Sequence, residues 1–342
     1  MKLTNLSLFL LIICFWLTSC VSSEIIDSPD SPETASDEIV LHLSSPDDVK
    51  TRASNHDGYK LRYVAKLFST KSAQGGDFIL KQRKDITEGE TDGNEITFKA
   101  EEGKYYVMVF ADYIPVESSK NVDNIYPDCF YDTSSTDIDI KTKKNYKIDE
   151  TFFNSDNLDC FSAVKANIDK TSARYDIENF VLDRAVAKVR FVDISDNPVE
   201  NSIISFTQVP YFSEFHQTTQ SSANLLSEKI SNIEIDALNN DEKEIFYYYT
   251  FSPDGNGYKL MDLVFDVKSG DKATKIKIED GTIGVRKNYI TTVKGKFIPG
   301  NGSGDNSSQE GNKDTDTGEK KDDGLIHVWP GVKEEFTGNI EF

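Results

Sequence analysis

From Glu38 onward apolar and polar positions alternate with a period of two, as in strands that send successive side chains to opposite faces, and not with a helical period. Ile39, Leu41 and Leu43 alternate with Val40 and His42. Leu61, Tyr63, Ala65 and Leu67 alternate with Arg62, Val64 and Lys66, and Ile96, Phe98 and the run from Tyr105 to Ile114 follow. Turn residues separate these segments at Gly75-Gly76, Asp92-Gly93-Asn94 and Glu102-Gly103. A second set opens near Phe180, with a strand around Ala187, Val189 and Phe191. Further strands are predicted over 202–209, 230–235, 244–251, 261–267, 275–278 and 289–298. Hairpin-type turns fall at Asp254-Gly255-Asn256-Gly257 and Ser269-Gly270-Asp271. Only Asn224 to Ile230 offers a helical turn or two. The pattern predicts an all-β chain with two β-sandwich domains, 38–180 and 181–299.

The two ends break the pattern. Lys2 precedes an apolar run from Leu8 to Leu17, too short for a spanning helix and suited to a secretory signal over 1–19. Leu17-Thr18-Ser19-Cys20 then resembles a bacterial lipobox, which implies cleavage before Cys20 and acylation of its thiol and new amine. An ordinary signal peptide with a chance cysteine is the alternative. Residues 20–37 are rich in Ser, Pro and acid and read as a flexible tether. Residues 300–324 hold no apolar side chain, so they cannot offset their ordering entropy and read as a disordered linker. Order is predicted to return in a strand-like tail over 325–342: Leu325 to Trp329 is β-prone, and Phe336, Gly338, Ile340 and Phe342 alternate with polar residues.

A net charge of −20 opposes binding to nucleic acid. Cys129 and Cys160 lie in a compartment that permits a disulfide, with two separate thiols as the alternative. His42, His56, His216 and His327 are scattered, with no ligand at metal spacing, and no nucleophile elbow or phosphate-binding loop is present. No catalytic residue, metal or cofactor is expected, and the chain reads as a non-enzyme. Asn312, Asp314, Asp316 and Asp323 approach a Ca²⁺ loop, but the glycine is displaced and no helices flank it, so solvated linker is the better reading. Asn301-Gly302-Ser303 and Asn306-Ser307-Ser308 fit a glycosylation sequon, for which a bacterial envelope protein predicts no use. The aromatic run from Glu244 to Phe251 could stack on sugar through Tyr247 to Tyr249, or form a strand buried on one face and partly covered on the other.

Three segments carry a family resemblance: Val49-Lys50-Thr51-Arg52-Ala53, the stretch from Leu182 to Phe191, and that from Val285 to Gly295. Together with the lipobox they resemble the fimbrillin-like lipoproteins of Bacteroidales, over about 38–298; Ala185-Val186 departs from the Pro-Phe or Pro-Leu common there. The resemblance implies two transthyretin-like β-sandwich domains in tandem and a structural role as pilus subunit or as accessory or anchor component supporting adhesion. It also implies assembly by strand addition: a trypsin-like protease cuts after a basic residue, the first strand leaves, and the C-terminal strand of another subunit fills the groove. Here Ile39 to Leu43 is the removable strand, Arg52 the candidate cleavage site, and Phe336, Ile340 and Phe342 the candidate donor. Arg52 could equally be a solvated loop residue that nothing cuts. The implied partners are the outer membrane through Cys20 and other fimbrial subunits or further copies of the chain. The location is the cell surface, or the fimbrium after a cut at Arg52. The alternative is a non-polymerising surface lipoprotein that binds glycan or host protein. The linker spans roughly 25–30 Å, so the tail can reach its own domain. Self-docking is then favoured unless the groove is already filled.

Overall fold

The computed structural model describes residues 37–44, 56–70, 78–87, 90, 95–142, 150–238, 240–252, 258–260, 263–278, 283–299 and 327–329. The first half contributes β1 (Glu38–Ser44), β2 (Tyr59–Thr70), β3 (Phe78–Thr87), β4 (Glu95–Lys99), β5 (Gly103–Pro115), β6 (Tyr131–Asp132), β7 (Ile140–Thr142), β8 (Cys160–Lys170), β9 (Arg174–Val181) and β10 (Asp183–Arg184). The second contributes β11 (Val186–Asp193), β12 (Ser202–His216), β13 (Ser221–Asp236), β14 (Glu244–Phe251), β15 (Tyr258–Leu260), β16 (Leu263–Ser269), β17 (Lys272–Ile278), β18 (Ile283–Val285), β19 (Ile290–Gly295) and β20 (His327–Trp329). The described helices are two short 3₁₀ turns at Glu150–Phe152 and Asp156–Leu158, neither long nor apolar enough to cross a membrane. The fold is all-β, and the sheets pair into sandwiches.

In the first sandwich the sheet β10-β8-β5-β2-β3 faces the small sheet β4-β1-β9. Leu61, Tyr63, Ala65 and Leu67 of β2 and Val107 and Val109 of β5 meet Ile39, Leu41, Ile96, Phe98 and Ile177 in one apolar cluster. The period-two reading of β1 and β2 therefore places their inward faces correctly. In the second sandwich, the sheet β14-β11-β19-β20 faces one built on β12, β16 and β17. Its rings interlock across the gap: Phe191 lies 5.5 Å from Phe265 and Phe206 lies 4.9 Å from Phe246, centroid to centroid. β12 is 15 residues long and pairs with β13 over most of its length, from Ile203 to His216. The segment expected to make helical turns, Asn224 to Ile230, instead lies inside β13, because a long antiparallel partner supplies hydrogen bonds that local propensity does not foresee.

Packing does not pause at the expected boundary near residue 180. The second apolar cluster takes Phe68, Tyr106, Met108 and Phe110 from the first half together with Tyr211, Phe215, Tyr248 and Phe251 from the second. Strands β6 and β7 pair with each other, and β7 pairs with β12 at Glu214–Phe215. The alternation in β2 also hides a second buried face. Arg62, Val64, Lys66 and Phe68 are all inaccessible, so the sheet is covered on both sides. Arg62 donates two hydrogen bonds to the Asp112 carboxylate, at 2.8 and 2.7 Å, and a third to Asp128 at 2.9 Å. Arg83 grips Asp85 at 2.7 and 2.9 Å and donates to the Thr133 carbonyl at 2.6 Å. Lys66 donates to the Ser135 carbonyl at 2.6 Å, and burial, with help from the Arg83 charge, pushes its pKa down to about 8. This charge network ties the crossing segment from Tyr126 to Asp137 onto the outer face of β2 and β3.

Candidate strand-exchange interface

Strand β1 is the middle strand of its sheet. It runs antiparallel to β4, with Ile39 opposite Phe98 and Leu41 opposite Ile96, and parallel to β9, with Ile39 opposite Tyr175 and Leu41 opposite Ile177. Among the described residues neither β4 nor β9 has another partner in that sheet, so β1 is the strand that joins them. Its inward side chains, Ile39, Leu41 and Leu43, are 0, 0 and 5% exposed. Burying each contributes roughly 1.5–3 kcal/mol. Backbone bonds fix its N-terminal end: the Glu38 amide donates to the Ala173 carbonyl at 2.8 Å, and the Ala100 amide donates to the Asp37 carbonyl at 2.8 Å. The Lys170 ammonium, buried below, donates to the Ser172 carbonyl at 2.6 Å and to Asp37 at 3.3 Å. Removal of β1 would leave two strands with facing unpaired edges over an open apolar trough.

The outward face of β1 is polar at one point. His42 Nδ1 lies 3.1 Å from Glu95 Oε1 on β4, and its Nε2 lies 3.0 Å from Asp176 Oδ1 and 3.5 Å from Glu178 Oε1 on β9. The hydrogen bond to Asp176 outweighs desolvation and holds the imidazole pKa above its ordinary value. Register with β9 slips between Leu41 and Leu43, where β9 carries one extra residue and Asn179 adopts a positive φ of 53°. Sequence reading missed β9 and its carboxylates because the run is short and half charged; the alternation of Tyr175 and Ile177 with Asp176 and Glu178 was the available signal.

At the other end of the chain, β20 pairs antiparallel with β19, placing His327, Val328 and Trp329 opposite Lys294, Val293 and Thr292. The β-prone run before Pro330 thus adds a strand to its own chain. Cys20, Arg52, Phe336, Ile340 and Phe342 lie outside the described residues. Cys160 is a free thiol, so its bridge to Cys129 is not formed. It is fully buried against the Tyr131 hydroxyl, and desolvation pushes its pKa far up. Tyr247, Tyr248 and Tyr249 do not offer a sugar-stacking face: they are 9, 0 and 4% exposed. The Lys188 ammonium sits 3.5 Å from the Tyr247 ring centroid, and the Tyr249 hydroxyl donates to Asp156 at 2.7 Å.

Fold and interface together define a two-sandwich β protein with an embedded N-terminal strand and a C-terminal strand added in cis. A profile described as "Family of unknown function (DUF6562)" matches residues 31–323, and the chain belongs to that family. A search of curated proteins gave no match. Among solved structures, the chain is similar to a putative polysaccharide-binding protein of Bacteroides thetaiotaomicron, with 12% identity, a TM-score of 0.43 and coverage of 75% of this chain and 90% of that one. A fimbrial assembly protein of Parabacteroides distasonis is 14% identical, with a TM-score of 0.39 and coverage of 76 and 91%. The tip fimbrial protein Mfa3 of Porphyromonas gingivalis is 11% identical, with a TM-score of 0.40 and coverage of 77 and 96%.

Proposed function

We propose that this chain is a non-enzymatic, cell-surface structural lipoprotein of fimbrillin-like type, anchored through Cys20 and able to assemble with other subunits by β-strand addition. The observation that carries the reading is the position of β1: it bridges β4 and β9, and its three inward side chains plug the first sandwich. Main-chain pairing on two sides plus alternate pockets is the recognition chemistry of strand addition. A cut after Arg52 would release β1 together with the lipid, and the tail around Phe336, Ile340 and Phe342 of another copy would supply the replacement. The same scheme makes the described arrangement, with β1 in its slot and β20 on β19, the form before exchange. N-terminal sequencing of the protein from its native host tests it. A terminus at Ala53 is the expected result for an assembling subunit, and an acylated Cys20 start throughout the surface pool would overturn assembly by strand exchange.

A second reading rests on the cis pairing of β20 with β19. A tail already committed to its own domain suits a fixed surface module that keeps its first strand and binds glycan or host protein elsewhere. Retention of Cys20 together with binding on a glycan array would favour it.

A further inference from the structure

We infer that His42, Asp176 and Glu178 form a Zn²⁺ site that staples β1 to β9. The three ligand atoms lie within 4.8 Å of one another. His42 Nε2 stands 3.0 Å from Asp176 Oδ1 and 3.5 Å from Glu178 Oε1. A tetrahedral Zn²⁺ bound at about 2.0–2.1 Å places its ligand atoms about 3.3 Å apart, between those two separations. Asp176 and Glu178 are two residues apart on β9 and so share the outward face, which is the face His42 occupies on the neighbouring strand.

The other ring nitrogen completes the arrangement. His42 Nδ1 lies 3.1 Å from Glu95 Oε1 on β4. Donation of Nδ1–H to a carboxylate leaves the Nε2 lone pair as the ligand and fixes the ring, the usual outer-shell support of a metal-bound histidine. With Nδ1–H so engaged, Nε2 faces two carboxylates, and either a second proton or a metal ion there balances their charge. Arg174 competes for the same oxygen: its guanidinium donates to Asp176 Oδ1 at 2.8 and 3.0 Å and to Oδ2 at 3.0 Å, so metal binding has to shift it from Oδ1 onto Oδ2. One imidazole with two carboxylates suits Zn²⁺ over Ca²⁺ or Mg²⁺, which take oxygen ligands, and the exposed side of the site leaves room for water as a fourth ligand. Sequence spacing concealed the set because His42 lies 134 residues from Asp176 and meets it only through strand pairing.

A metal at this point binds the folded sheet and not the separated strands, so it stabilises β1 in place by mass action. That consequence for strand release rests on the proposed function; the site itself does not. The test is calorimetric titration of the mature, metal-stripped chain with Zn²⁺, read together with thermal melting. One Zn²⁺ per chain and a raised melting temperature are expected for the wild type. Both should be lost in His42→Ala, and Glu95→Ala should weaken binding by roughly tenfold. Glu178→Gln guards against misfolding, since that side chain is 69% exposed and its loss should remove tight binding without touching the core. His216→Ala, in the second group of metal-type side chains with Asp139 and Glu214, should leave the stoichiometry at one. Failure of the wild type to bind Zn²⁺, or equal binding by Glu178→Gln, would overturn the site. N-terminal processing is read separately, so each result stands alone.

Discussion

Arg62 shows how a residue that reads as surface becomes part of the interior. It alternates with core residues and carries a charge, yet it is fully buried and holds Asp112 and Asp128. Burial alone would lower its pKa; the Asp112 and Asp128 carboxylates outweigh that and keep the guanidinium charged. Arg62→Met should therefore destabilise the fold by about 3–5 kcal/mol, because it strands Asp112 as an uncompensated buried charge. Arg62→Met combined with Asp112→Leu should recover much of the loss, since removing both partners also removes the desolvation penalty. Urea melts of the two variants check this, and equal losses in both would refute the account. Nothing in the sequence marked Arg62, because its partners come from β5 and from a crossing segment that carries no strand pattern. His42 was invisible for the same reason: the sequence supplies the imidazole, and strand pairing supplies its carboxylates.

At the scale of elements, strands with clean alternation were legible and those with mixed faces were not. Ile39 to Leu43 and Leu61 to Leu67 bury the residues their period indicated, and Tyr105 to Ile114 is a strand as expected. β3, β8 and β9 escaped because charged side chains break up their apolar positions, and β13 escaped in part because its order comes from β12. The aromatic strand β14 was legible as a strand but not in its depth, since all eight of its residues are buried. The tail was legible as β-prone up to Trp329 and β19 as a strand, but their pairing was not. Truncation after Gly324 should strip β19 of its neighbour. The amides of Thr292 and Lys294, which face β20, should then exchange hydrogen faster in the truncated chain than in the full one, while that of Val293, which faces β11, and the β1 amides stay unchanged. Unchanged exchange at β19 would show that the cis pairing is not populated in solution.

For the molecule as a whole, the sequence suggested two sandwiches in series, and their interiors are more entangled than a series implies. The outer face of the first large sheet, with Phe68, Tyr106, Met108 and Phe110, belongs to the same cluster as the core of the second half. Phe130, Tyr131, Phe152 and Phe153 join it from the crossing segment. A fragment ending at residue 184 would expose that face, well beyond what a monomer ordinarily shows. It should bind a hydrophobic dye and aggregate, whereas residues 38–299 expressed together should not. A soluble, dye-silent fragment would mean that the first sandwich closes without the second.

The mixed pairing of β1 leaves the backbone of its slot without a preferred direction. One wall, β9, offers the evenly spaced, slanted bonds of a parallel ladder, and the other, β4, offers the alternating narrow and wide pairs of an antiparallel one. Reversing an incoming strand exchanges the two ladders but still leaves one of each, so the backbone slot tolerates either polarity, and the choice of direction falls to the apolar pockets and to the bulge of β9 opposite Leu41 and Leu43.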